Sequence, residues 1–310
     1  MRLTLLVVLA LGCCGLALAM DTNDPLTQPV QCERCAKWNE PVTPFRVYGN
    51  TYYVGVRGMS SVLVTTGGGL ILLDGDLPQS APLIEANVRT LGFRVKDIRM
   101  ILTSHGHFDH VGGVAALQRD SGAQVVASPS TAEALRLGHA VADDPQAGYI
   151  DGAGFPPPKA VVRVVRDGEA LKLGDVAVTA HFTPGHTPGS TSWSWKSCEG
   201  QRCQDVVYAD SLNSVAAPGF RYTGDQDHPD VTPRFRASID AVGALPCDIV
   251  ITVHPEVGHL WDKLEARQRG VRPDPLIAPE GCRVYADAMR RLLDERIASE
   301  KAEAPQVQRD

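Results

Sequence analysis

Four side chains able to bind a metal fall within six residues in Ser104-His105-Gly106-His107-Phe108-Asp109-His110. Imidazole nitrogens and carboxylates are donors that zinc favours. Geometry restricts how they act. Two histidines at i and i+2 point about 200° apart on a helix, so a metal shared by His105 and His107 requires a loop. On a loop those two converge on one ion, while Asp109 and His110 turn toward a second. The competing explanation is a solvated polar loop, in which so dense a cluster is rare. Two more histidines stand in stiff surroundings: His186 within Thr183-Pro184-Gly185-His186-Thr187-Pro188-Gly189-Ser190, and His254 within Ile251-Thr252-Val253-His254-Pro255. Either alone is more often a hydrogen-bonded structural histidine than a ligand. With the cluster they bring the ligands to six, enough for two four-coordinate zinc ions sharing a water.

Such a centre has to be carried by strand ends. The apolar run 98–103 reads as a buried strand, and Gly112-Gly113 with the periodic Val114 and Leu117 reads as a turn opening into a helix. The cluster therefore sits at a strand's C-terminal end, where α/β folds place their chemistry. Upstream, strands are expected over 51–56, 61–65 and 70–73, with a helix over 78–91. Downstream come a helix over 114–119, a strand over 123–127 and a helix over 130–137 with Ser130 as its N-cap. Residues 138–160, rich in Gly, Pro, Asp and Ala, read as a long irregular loop of the kind that forms functional rims. Strands resume at 160–165, 176–182, 190–195 and 205–208. A helix over 233–244, a strand over 248–253 and a long helix over 282–300 complete the pattern. Two strand-rich halves, each with helices, suggest two sheets packed face to face with helices outside.

The chain has 310 residues, 44% of them hydrophobic and 21% charged, enough for one large domain or two small ones. Its net charge of −6 and lack of any Lys/Arg run argue against a nucleic-acid partner. Arg2, the apolar run 5–11 and Ala17-Leu18-Ala19 read as a signal peptide over 1–19, cleaved before Met20 and too short to span a bilayer. The alternative is a lipoprotein lipidated at Cys13, but Ala10 stands where Leu is usual. Both readings export the chain. Polar, Pro-rich residues 20–44 form an expected extended arm, 45–302 the main domain, and 303–310 a polar tail. Of eight cysteines, Cys13 and Cys14 leave with the signal. The remaining six allow fifteen pairings; Cys198 and Cys203 most simply close the short loop between them. Cys32-x-x-Cys35 lacks further ligands for zinc and a thioredoxin-like context for redox work, so its pairing stays open.

These motifs resemble the metallo-β-lactamase superfamily, and its subclass B3 in particular. His105-x-His107-x-Asp109-His110 matches the superfamily signature. Thr183 to Ser190 followed by Thr191-Ser192-Trp193-Ser194-Trp195, Tyr208-Ala209-Asp210-Ser211-Leu212, and Thr252-Val253-His254-Pro255 resemble the later B3 motifs. The likeness runs from about Cys35 to the C-terminal helix. It implies a four-layer αβ/βα sandwich of two mixed sheets and two zinc ions. The first zinc would be held by His105, His107 and His186, and the second by Asp109, His110 and His254. The implied activity is hydrolysis of a β-lactam ring by a metal-bound hydroxide, which Asp109 orients and Ser211 hydrogen-bonds. It also implies a Cys247–Cys282 disulfide, a small-molecule β-lactam partner and a periplasmic address; a monomer without a membrane span is expected. Ser211 stands where subclass B1 carries a cysteine ligand, which favours B3. Asn213 stands where B3 enzymes often carry a serine for the substrate carboxylate, and Phe155 is a candidate for the substrate groove.

Several residues have plainer readings. His139, His181, His228 and His259 match no ligand position and read as surface or packing histidines. Trp193 and Trp195 alternate on a strand, as residues packing one sheet face do. Asp74 and Asp76 read as strand-end turn residues that, if buried, would orient a ligand histidine. Rival functions are a lactonase or thioesterase of the same fold, in which an Asp bridges both metals near Asp210, and an exported zinc-binding protein without turnover.

Overall fold

The computed structural model describes residues 23–149, 154–226 and 228–303. The signal segment 1–19 with Cys13 and Cys14, and the tail from 304, lie outside the described residues. A first sheet of seven strands runs in chain order: β1 (Phe45–Tyr48), β2 (Thr51–Tyr53), β3 (Val62–Thr66), β4 (Gly69–Leu73), β5 (Ile98–Leu102), β6 (Gln124–Ala127) and β7 (Arg163–Val164). It is antiparallel as far as β4 and parallel beyond. The second sheet comprises β8 (Ala170–Leu173), β9 (Val176–Phe182), β10 (Thr191–Glu199), β11 (Arg202–Ala209) and β12 (Ile249–Thr252), the last pair parallel.

Side-chain alternation sorts the residues into layers. In β3 and β4, Val62, Val64, Ile71 and Leu73 point into the core between the sheets. Leu63, Leu70 and Leu72 point outward into a second core, covered by the helices α2 (Ala81–Thr90), α4 (Val114–Ser121) and α5 (Pro129–Leu137). In β11 and β12, Val206, Tyr208, Ile249 and Ile251 face the inner core, while Val207, Ala209 and Val250 face a third. Helices α6 (Thr232–Gly243) and α8 (Gly281–Glu303) close that third core. Strands buried on both faces read as continuous apolar runs because each face has its own core. The result is the expected four-layer sandwich. Trp193 and Trp195 both sit in the inner core, and their indoles tie the sheets together by donating to the Thr103 carbonyl at 3.1 Å and to Thr51 Oγ1 at 2.9 Å.

Local departures from the sequence reading have physical causes. Ser128, not Ser130, is the N-cap of α5: its Oγ accepts from Thr131 N, and Pro129 takes the first helical position, where its missing N–H costs nothing. Strands β1 and β8 and helix α7 (Leu260–Gln268) were not marked by periodicity; α7 buries only Leu260 fully, so it carries almost no apolar stripe. The arm is not wholly extended. It holds a short helix α1 (Cys35–Trp38), beside which Cys32 pairs with Cys35. Cys198 pairs with Cys203 across the β10–β11 hairpin, and Cys247 with Cys282 between β12 and α8, as expected.

Candidate metal centre

The end of β5 is built into the sheet from both sides. Asp74, just past β4, donates its N–H to the Leu102 carbonyl, and its buried carboxylate accepts from Ser104 N at 2.7 Å and Ser104 Oγ at 2.6 Å. Tyr208 of the second sheet donates to the same carboxylate at 2.8 Å, and Thr191 N donates to the Ser104 carbonyl. Asp74 and Asp76 hold positive φ (58° and 55°), a conformation that Asp adopts more readily than most residues. This turn sets the chain's direction as it enters the histidine cluster.

One expectation needs correction: the cluster is not all loop. His105 leaves the strand, His107 is the extended N-cap of a one-turn helix α3 (Phe108–Val111), and Asp109 and His110 lie on that helix. The chain turns from extended backbone at His107 into this helix, so Asp109 and His110 leave it in a different direction from His107. Gly106 is required between the first two histidines, since a Cβ there would lie 2.6 Å from that of Ala134. Gly185, before His186, faces the Phe235 ring at 2.0 Å in the same sense.

The structure brings all six expected ligands together as two triads, His105/His107/His186 and Asp109/His110/His254. In the second, His110 Nε2 lies 3.3 Å from His254 Nε2, and these nitrogens lie 3.5 and 3.6 Å from Asp109 Oδ2. Tetrahedral zinc with bonds of about 2.0–2.1 Å separates its ligand atoms by about 3.3–3.4 Å, so the spacing fits. In the first, ring centroids lie 4.7–5.0 Å apart and the buried His105 Nε2 has no hydrogen-bond partner, a lone pair left for an ion. The rear nitrogens are occupied. His105 Nδ1–H donates to Asp210 at 2.7 Å, His107 Nε2–H to both oxygens of Asp144 at 3.1 Å, and His186 Nδ1–H to the Asn213 carbonyl at 3.1 Å. Those partners fix which nitrogen remains for a metal.

Burial holds His105 and His110 neutral, with pKa values well below the ordinary one, and lowers His186 to about 4. Neutral imidazoles are the form that binds metal. Burial opposes a charged His107 too, but Asp144, together with Asp109 and Asp210, offsets it and its pKa lies above the ordinary value. Burial also acts against an ionised Asp109, yet His110 and His254 bring its pKa below the usual range. Five of the ligands line a cavity of about 850 Å3, with His105 behind them.

A model of the metallo-beta-lactamase superfamily matches residues 54–200. The Rm3 metallo-beta-lactamase is 49% identical over 88% of this chain and all of its own, at a TM-score of 0.83. MEM-A1, a subclass B3 metallo-beta-lactamase from a soil metagenome library, is 47% identical over 86% of this chain and 99% of its own, at 0.82. The chain belongs to subclass B3 of the metallo-β-lactamase superfamily. A hydroxyacylglutathione hydrolase of Anaeromyxobacter dehalogenans (strain 2CP-C) is 34% identical over 58% of this chain; the match spans 53% of that relative's length, and less of others.

For a B3 member, the remaining candidates fall in different places. Asn213 lines the cavity and Ser211 is buried beside Asp210. Phe155 is buried in the core under α5, and its neighbour Gly154 faces the cavity instead. Asp74 Oδ2 comes 3.8 Å from His110 Nδ1. His139, read as a surface residue, is exposed on the cavity wall. Sequence reasoning missed Asp144, Gln146 and Trp38. Asp144 is thirty-seven residues from the histidine it holds, and no local pattern links them.

Proposed function

We propose that this chain is a dinuclear zinc enzyme that opens the β-lactam ring of antibiotics by hydrolysis, conferring resistance and acting as a monomer. The observation that carries it is the pair of adjacent triads at one cavity. Zinc bound there would lower the pKa of a water to about 7 and polarise a carbonyl. The chain's own part is to place and orient. Asp210, Asp144 and the Asn213 carbonyl hold the three imidazoles of the first triad, and Asp109 brings the anionic ligand of the second. Asp109 also orients the attacking water, and Ser211 offers it a hydrogen bond. Asn213, on the cavity wall, is positioned to donate to a substrate carboxylate. An exported, periplasmic address is supported by three disulfides among the described residues, in which no helix is long and apolar enough to cross a membrane.

The hydroxyacylglutathione hydrolase likeness favours a thioesterase as the second reading. That chemistry in this fold uses an Asp bridging both metals. Here the Asp210 carboxylate is taken up by His105 Nδ1 and by Thr191 N at 3.1 Å, and it belongs to neither triad. The test is initial rates on a penicillin, a cephalosporin, a carbapenem and a glutathione thioester, with and without chelator. Chelator-sensitive lactam hydrolysis is expected. Thioester hydrolysis alone would transfer the chain to the second reading.

A further inference from the structure

The loop 138–149 forms one wall of the cavity, contributing Ala140, Gln146 and Tyr149. It also reaches beneath the metal centre through one side chain. Asp144 is 4% exposed, and both its carboxylate oxygens stand 3.1 Å from His107 Nε2. Among the described residues its only ion-pair partner is that imidazole. A carboxylate withdrawn from water needs a positive or strongly polarised donor. An imidazole whose other nitrogen holds a metal is such a donor. The rest of the loop is folded around this carboxylate. Gln146 N donates to Asp144 Oδ1 at 2.8 Å, Asp144 N to the Val141 carbonyl, and Ala147 N to the Asp144 carbonyl. Ala217 N donates to the Pro145 carbonyl, joining the loop to the segment whose Asn213 carbonyl holds His186.

We propose that Asp144 is a positioning residue for the first metal site, orienting His107 and fastening the cavity's 138–149 wall to that ion. The inference rests on the cavity being a dinuclear zinc centre. It makes the substrate-facing wall and the metal one mechanical unit: weakening the Asp144–His107 contact loosens the ion and the wall together. The sequence offers its own control. Asp143 carries the same charge on the same loop but is exposed, so it shares any long-range effect on the metals without the contact.

The test is competition between the mature chain and a chromophoric chelator for zinc, comparing wild type, Asp144→Asn, Asp144→Ala and Asp143→Asn. Loss of a carboxylate behind a ligand histidine typically weakens metal binding about 10–100-fold. That loss is expected for one of the two zinc ions in both Asp144 variants, with Asp143→Asn binding both like wild type. Wild-type affinity in the Asp144 variants, an equal loss at both ions, or the same loss in Asp143→Asn would overturn the proposal. If the Asp144 variants do not fold, histidine 1H–15N correlation spectra of the zinc-loaded wild type decide. A hydrogen-bonded proton on His107 Nε2 supports the proposal, and a proton on Nδ1 defeats it. Neither readout involves turnover. A wild-type chain that binds two zinc ions but hydrolyses no lactam would fail the functional reading and leave this one standing.

Discussion

The two triads lie side by side, with His105 and His110 ring centroids 4.2 Å apart, yet the protein supports them differently. Each imidazole of the first triad has an acceptor behind it, two of them carboxylates. In the second, His254 Nδ1–H donates to the Gly58 carbonyl at 3.0 Å, but buried His110 Nδ1 has no hydrogen bond and the nearest carboxylate oxygen, of Asp74, is 3.8 Å away. The His254 side chain is also 21% exposed, whereas that of His105 is fully buried. The second triad has a charge of its own in Asp109 and a wall made by the arm: Trp38 lies 5.4 Å from the His254 ring and packs against Gly58. One site is held from behind by hydrogen bonds, and the other by a charged ligand and an aromatic neighbour. Preorganised donors lose less freedom on binding, so the first site is expected to keep its zinc longer under a limiting chelator.

The largest effect that would sharpen this contrast is expected from Asp109→Ala. It removes the only anionic ligand, and metal analysis is expected to show one zinc per chain with turnover lower by orders of magnitude. Two tightly held zinc ions in that variant would break the division into triads. Asp210→Asn weakens only a support. First-site affinity is expected to fall about 10–100-fold, with two zinc ions still bound at saturating metal. One zinc per chain at saturation would make Asp210 a direct ligand, as in the thioesterase reading.

Smaller effects test the other side of the comparison. Trp38→Ala takes away an aromatic contact worth about 0.5–1.5 kcal/mol, so second-site affinity is expected to fall roughly two- to tenfold and first-site affinity not at all. Equal losses at both sites would show that the arm supports the whole centre. Ser211→Ala is expected to do least. One neutral hydrogen bond contributes about 0.5–1.5 kcal/mol, giving at most a two- to tenfold lower rate with both zinc ions retained; loss of a zinc would make Ser211 a ligand.

The histidine cluster announced itself because its ligands are neighbours in sequence, His186 because it stands in a Gly/Pro-stiffened turn between two strands, and His254 because it ends an apolar strand beside Pro255. Residues acting across the fold gave no such signal. Trp38 belongs to an arm expected to be extended, and its role depends on α1 folding back so that Gly58 N donates to the Trp38 carbonyl. Phe155 shows the reverse: an aromatic in a rim loop reads as a candidate groove residue, while the fold buries it in the core. Ser130 was displaced as N-cap by Ser128 because Pro129 already suited the first turn.

By itself the sequence determined the six candidate metal donors, the apolar strands that lead into them and most of the helices. All are short-range properties, set by residue type and by periods of two and 3.6. Only the tertiary structure decided which nitrogen of His105, His107, His186 and His254 is left for a metal, because that depends on an acceptor brought from elsewhere in the chain. Asp210 reaches His105 from just past the end of β11 in the other sheet, Asp144 reaches His107 from a loop, and the Gly58 carbonyl reaches His254 across 196 residues. A histidine's spacing in sequence carries no information about its second nitrogen; packing supplies it.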